Sequence, residues 1–124
     1  MLLKLDNYYS FTDDRGSLKG LINTGKWEEV NLVTSMKDST RGNHYHKETI
    51  EVFIIIKGKI EVSLQKVENS RLSGSVEKHI FRKGDVFLIN PFVNHTFFCI
   101  EESEWLNMLS KTINIENKDI FRVS

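Results

Sequence analysis

One cysteine, one proline and no long apolar run set the first limits on this 124-residue sequence. Cys99 stands alone, so no intrachain disulfide can form. The longest apolar runs, residues 52–56 and 86–89, are far too short to cross a bilayer. The N-terminus lacks a basic start followed by an adequate apolar stretch, so it does not read as a secretory leader. Neither sign of charge is in excess: 17 basic residues balance 17 acidic ones. With no basic run, nothing suggests a nucleic-acid or polyanion surface. No segment offers a three-turn amphipathic helix, an internal repeat, a low-complexity tract or a linker. The expectation is a cytoplasmic, soluble protein with no nucleic-acid or membrane partner.

What the sequence does contain is alternation. Hydrophobic residues make up 40%, enough for a core, and the length suits one domain over residues 1–124. Ile60, Val62 and Leu64 alternate with Glu61, Ser63 and Gln65, the pattern of a half-buried strand. Residues 50–56 are mostly β-branched, which reads as a strand covered on both faces. Lys57-Gly58 between these two predicts a tight turn. Further strands are predicted over 29–36, 75–81, 85–89, 95–100 and 105–113, with a polar hairpin loop over 68–74. The tail, 114–124, reads as either an edge strand or a short helix. Many short strands at close spacing predict an all-β sandwich or barrel.

One constellation carries chemistry. His44 and His46 lie two apart, so on extended chain they share a face. Glu51 shares the parity of Phe53 and Ile55, and a carboxylate on an apolar face needs compensation. His95 alternates with Phe97 and Cys99 and can face the same interior. Three imidazoles and a carboxylate suit one divalent metal, zinc foremost, with Fe, Mn, Ni or Co also possible from these ligands.

These segments resemble the two signature motifs of the cupin superfamily, G-x5-H-x-H-x4-E-x6-G and G-x5-P-x-G-x2-H-x3-N. The resemblance implies a single-domain cupin, a double-stranded β-helix or jelly-roll barrel. Asp38 replaces the opening glycine, Asn90-Pro91-Phe92 replaces Pro-x-Gly, and Cys99 replaces the closing asparagine. All four ligand positions are present. Residues 14–16, 31–33 and 41–47 are also similar to cupins that act on nucleotide sugars. These include the zinc-binding C-terminal cupin of capsular-polysaccharide reductase/epimerases. They also include the dTDP-4-keto-6-deoxyglucose 3,4-ketoisomerases and, more remotely, the dTDP-4-dehydrorhamnose 3,5-epimerases. In the last two groups an Arg-Gly-x-His segment supplies a catalytic histidine without metal, and His44 falls on it. One nitrogen cannot ligate a metal and take a proton at once. The presence of Glu51 and His95 favours metal.

The resemblance thus implies an epimerase or isomerase of a nucleotide-linked 4-keto-6-deoxy sugar in surface-polysaccharide synthesis. A non-catalytic sugar-binding cupin is the alternative, and a metal-dependent dioxygenase a third. Catalytic candidates are His44 and Tyr45, with Tyr9 and Lys47 as further proton carriers. Arg41, Arg15 and Lys47 are candidates for substrate binding, the two arginines because guanidinium forks suit phosphate. Tyr45, which faces away from the histidines, reads as packing or an interface before a catalytic acid, Glu48 and His79 as surface residues, and Cys99 as a small core residue. The outward apolar face of residues 50–56 needs cover, which predicts a homodimer.

Overall fold

Alternating inward residues on two sets of strands build a sandwich whose core lies between the sheets. The structure, a computed structural model, describes residues 1–123. Eleven strands and no helix form among them. One sheet has the order β1 (Leu2–Leu5), β9 (Val86–Ile89), β6 (Glu51–Lys57), β11 (Ser103–Leu109), β4 (Glu29–Ser35). The other runs β5 (Thr40–His44), β10 (Val93–Cys99), β7 (Lys59–Glu68), β8 (Arg71–Arg82). Every pairing is antiparallel. Phe53, Ile55, Phe87 and Trp105 from the first sheet meet Val62, Leu64, Phe81 and Phe97 from the second in one buried cluster. Their rings stack or meet edge to face, as with Phe53 and Phe97 at 4.8 Å.

The predicted strands all exist, with shifted ends. The expected loop over 68–74 is instead a two-residue turn. Asn69 and Ser70 both hold positive φ, which suits the twist of a tight hairpin, and β8 starts at Arg71. The last strand stops at Leu109, short of residue 113. Among the described residues the tail, 114–123, forms neither helix nor strand, and one bridge ties Phe121 to Tyr45; residue 124 lies outside the described residues. β2 (Tyr9–Asp13) and β3 (Gly16–Gly20) make a hairpin that is a two-stranded sheet of its own, with Tyr9, Phe11 and Leu18 exposed.

The outward face of the five-stranded sheet carries apolar side chains across its width. Leu3, Leu88, Val52, Met108 and Val30 are successive register partners. So are Leu5, Val86, Ile54, Leu106 and Leu32. Val52 and Val86 in mid-sheet are buried, but Val30 and Leu32 at the β4 edge are 58% and 63% exposed.

The motif departures have a backbone explanation. Asp38, where the motif opens with glycine, has φ +67°, and Phe92, at the Pro-x-Gly glycine, has φ +59°. The left-handed conformation persists although the glycines do not. Asp tolerates it through its short polar side chain; a bulky aromatic does so under strain. Gly58, with φ +92°, keeps the motif residue, and a Cβ there would collide with the Glu102 carbonyl and Ser103. Gly58→Ala is therefore expected to cost at least about 2 kcal/mol, and Asp38→Gly to change stability by less than about 1 kcal/mol. Urea unfolding of the two variants beside wild type checks both.

Candidate active site

At one end of the barrel the two sheets and the loop between β5 and β6 bring four polar side chains together. β5 supplies His44, the loop His46, β6 Glu51 and β10 His95. His44 and His95 are register partners, and the pairing shifts immediately after them. Gly42 and Asn43, both at positive φ, form this irregularity, which aims His44 inward. A Cβ on Gly42 would lie 2.7 Å from the His95 carbonyl, so the close approach there requires glycine.

One ring nitrogen from each histidine lies within 4.8 Å of the others. Glu51 Oε1 is 3.0 Å from His46 Nε2, and Glu51 Oε2 is 3.5 Å from His95 Nε2. The other nitrogens are held from behind. His46 Nδ1 lies 2.5 Å from the Asp119 carbonyl oxygen and His95 Nδ1 lies 3.1 Å from that of Val93. A carbonyl only accepts, so each Nδ1 carries the proton and each Nε2 faces the carboxylate. A neutral Nε2 lone pair 3.0 Å from a buried carboxylate places two acceptors together. The contact needs positive charge: a second proton on His46, or a cation between the groups. His46 Nε2 and Glu51 Oε2 are buried without an aligned hydrogen bond, which leaves both available to a metal. The donor chemistry fits a divalent ion.

The electrostatics follow. Burial opposes the charge on His46, but the Glu51 carboxylate outweighs it and raises the imidazole above its ordinary value. Burial likewise opposes ionised Glu51, and the histidines outweigh it, holding the carboxyl low. Burial, then the neighbouring imidazoles His95 and His46, lowers His44 to about 4. Burial also lowers His95.

His44 and His95 open on a cavity of about 200 Å³, lined also by Val33, Arg41, Phe53, Phe97, Trp105 and Asn107. This is below the roughly 300–1,000 Å³ of pockets for drug-sized ligands, so it suits one small ring with the rest of a larger ligand outside. Arg41 is braced by Ser35 Oγ and the Thr34 carbonyl. Asn107 Nδ2 is buried and has no partner, a donor free for a ligand.

The other candidates lie elsewhere. Tyr45 is buried between Phe92 and Phe121, because alternation turns it away from the two flanking histidines. Lys47 sits 4.1 Å above the Phe121 ring. Arg15 is paired with Asp13 in the exposed hairpin turn, and Tyr9 lies on the same hairpin. None of these four lines the cavity. His79 pairs with Glu77 at the surface, and Cys99 is buried in the core. Sequence reasoning missed Asn107 and Asp119. Asn107 alternates with Trp105 and Leu109, so its inward parity was readable; Asp119 lies in a tail with no periodic pattern.

A double-stranded β-helix with a His/Glu cluster at one open end defines a cupin. The chain belongs to the polysaccharide biosynthesis C-terminal domain family, whose model matches residues 11–118. A search of curated proteins finds no match. Among solved structures it is similar to the QdtA 3,4-ketoisomerase of Thermoanaerobacterium thermosaccharolyticum, solved with TDP. The identity is 25% and the TM-score 0.71, over 98% of this chain and 86% of that one. The WlaRB TDP-quinovose 3,4-ketoisomerase of Campylobacter jejuni shares the fold at 19% identity and TM-score 0.76, over 98% and 91%. CapF of Staphylococcus aureus, a capsular polysaccharide assembling protein, does so at 20% and 0.69, over 94% of this chain and 32% of CapF.

The pH dependence of stability in chelator tests the cluster. His46, raised, contributes stability that is present below pH 6.5 and lost as pH rises through its folded value. His44 and His95, lowered, stay neutral while the unfolded chain takes up protons, so stability also falls below pH 6.5. Urea midpoints should peak close to pH 6.5–7, about the ordinary imidazole value. His46→Gln should remove the alkaline decline and His44→Gln should shrink the acid one.

Proposed function

We propose that this protein is an isomerase or epimerase of a nucleotide-linked 4-keto-6-deoxy sugar in surface-polysaccharide synthesis, with His44 as its proton carrier. The cavity carries the reading. Among its lining residues only His44 and His95 offer a neutral ring nitrogen as a base at neutral pH, and His95 is buried while His44 is partly open. Isomerases and epimerases of keto sugars share a first step. A base takes the proton from the carbon beside the carbonyl, and the electron pair passes to the carbonyl oxygen as an enediolate. Protonation of the same carbon from the other face gives the epimer. Protonation of the former carbonyl carbon, with loss of the neighbouring hydroxyl proton, moves the ketone by one position.

His44 is unprotonated at neutral pH and ready to accept that proton. Asn107 Nδ2 is placed as a donor for an oxygen that gains charge. Braced Arg41 holds the diphosphate at the rim, and Trp105, Phe97 and Val33 give the deoxy carbon an apolar wall. QdtA, a 3,4-ketoisomerase crystallised with TDP, supports the substrate class.

A second reading rests on the ligand geometry. His44, His46, His95 and Glu51 would hold one divalent metal, zinc first among the fits. When bound, it would supply Lewis-acid stabilisation of a developing oxyanion. His44 is then a ligand and not the base.

Deuterium incorporation from solvent into a dTDP- or UDP-linked 4-keto-6-deoxyhexose, followed by NMR, tests the function. Wild type should exchange the position beside the ketone. His44→Asn should lower the rate by about 100-fold or more, and Arg41→Ala should weaken binding by about tenfold. In kcat/KM the acid limb should fall with the free-enzyme value of about 4, activity being lost as His44 protonates. Exchange that survives chelation in metal-free protein selects His44 as base. Loss that zinc restores selects the metal reading, in which His46→Ala or Glu51→Ala abolishes stoichiometric metal by elemental analysis. Binding without exchange would replace the enzyme by a sugar-binding cupin.

We also propose a homodimer. A two-stranded hairpin is marginal on its own, and β2–β3 stands apart with both faces exposed, while Val30 and Leu32 lie open on β4. Light scattering should give about twice 14.5 kDa, and Leu32→Asp should reduce it toward one chain with the circular dichroism unchanged. A wild-type monomer at micromolar concentration overturns this.

A further inference from the structure

After β11 the chain turns back and runs alongside the segment that carries His44 and His46. The contacts are continuous along it. Tyr45 and Phe121 exchange both backbone hydrogen bonds, at 2.9 Å each, and their rings pack at 5.6 Å. Arg122 Nη1 donates to the carbonyls of Gly42 and Asn43 at 3.0 and 3.1 Å.

Asp119 is the centre of this strap. Its carboxylate is buried and accepts four hydrogen bonds from one short loop. Lys47 N–H reaches Oδ1 at 2.8 Å, while Glu48 N–H, Thr49 N–H and Thr49 Oγ1–H reach Oδ2 at 3.0, 2.9 and 2.7 Å. Hydrogen bonds to an ionised acceptor are stronger than neutral ones, and a buried carboxylate with four donors is a rigid anchor. The same residue's carbonyl receives Nδ1–H of His46. Side chain and main chain of Asp119 therefore fix the loop and the ring at once. His95 makes the useful contrast. Its Nδ1 is held by the Val93 carbonyl within its own strand, a bond in which the strap takes no part.

We propose that Asp119 is a positioning residue: its carboxylate locks the 46–49 loop and its main-chain carbonyl accepts the hydrogen bond from His46 Nδ1–H, so that His46 Nε2 is presented to Glu51. Residue 119 lies one position beyond the stretch that the family model matches. The inference concerns the site on which the proposed isomerase reading rests, but its geometry is independent of substrate and of metal. An outer hydrogen-bond partner that sets the tautomer and orientation of a working histidine is a general device in histidine sites.

The test uses the full-length protein, labelled with ¹⁵N-histidine, in chelator, and the two buried Nδ1–H signals. In wild type, His46 and His95 should each show a solvent-protected, downfield Nδ1–H resonance, assigned with His46→Gln and His95→Gln. Asp119→Ala should abolish the His46 signal and leave the His95 signal in place. Asp119→Asn, which keeps one acceptor oxygen, should speed exchange of the His46 proton by about tenfold or more and preserve the fold. It should also reduce deuterium incorporation into the keto sugar more than it reduces binding. Loss of both histidine signals in the Asn variant would mean a merely structural role and would overturn the proposal. So would an unprotected His46 in wild type, or a His46 signal indifferent to both substitutions. If the selective loss is seen but no keto sugar ever exchanges, the positioning role stands and the isomerase reading falls.

Discussion

A buried carboxylate organises this end of the barrel. Glu51 sits on an otherwise apolar inward face of β6, nearly enclosed, where an uncompensated charge is costly. The surrounding imidazoles answer it, and their own arrangement follows from that need. Two of them turn Nε2 toward the carboxylate and are held in that tautomer by carbonyl oxygens behind them. The third, His44, is held neutral by burial and then by the neighbouring imidazoles His95 and His46, which together outweigh Glu51. The same electrostatic field thus separates one imidazole that favours its charge from two that resist it, although the three rings lie within a few ångströms.

Much of this was legible in the sequence because the signals were periodic. A period of two exposed the inward sides of β6, β7 and β10, and His44, Glu51 and His95 lie on strands where parity decides direction. Parity also placed Tyr45 opposite the histidines. The strands that escaped notice were of another kind. β1 is four residues long, β2 and β3 are exposed on both faces, and β5 is mostly exposed and broken by Gly42 and Asn43 at positive φ, so neither burial nor alternation marks them. Asn107 was readable from its register between Trp105 and Leu109, but a lone amide among apolar neighbours carries no motif. Asp119 was not readable. Its role depends on a loop some seventy residues earlier folding back beside it, and no local pattern encodes that contact.

The departures from the cupin motifs show which part of a motif is physical. At Asp38 and Phe92 the glycines are gone, yet the left-handed backbone remains. At Phe92 the strained residue is held by its neighbours: its N–H donates to the His46 carbonyl at 2.7 Å and its own carbonyl accepts from Val67 at 3.0 Å. The turn before His95 is thereby tied to the loop carrying His46, so the segments bearing these two histidines share one backbone contact. Where Gly42 and Gly58 survive, a side chain would meet backbone atoms directly. Conformation alone tolerates substitution; close approach does not.

The position of the strap in the chain has a consequence for biosynthesis. Residues 119–122 leave the ribosome after every strand of both sheets has been made. Pairing of β6 with β11 and β10 with β7 can precede them, so the barrel can close while the loop bearing His46 is still unanchored. Such an intermediate would hold its core but lack a set direction for one imidazole. Maturation of the site would then be a step separable from closure of the barrel, complete only when the tail has docked beside residues 42–49. Anything joined directly after the strap would bear on that late step and leave the sheets untouched.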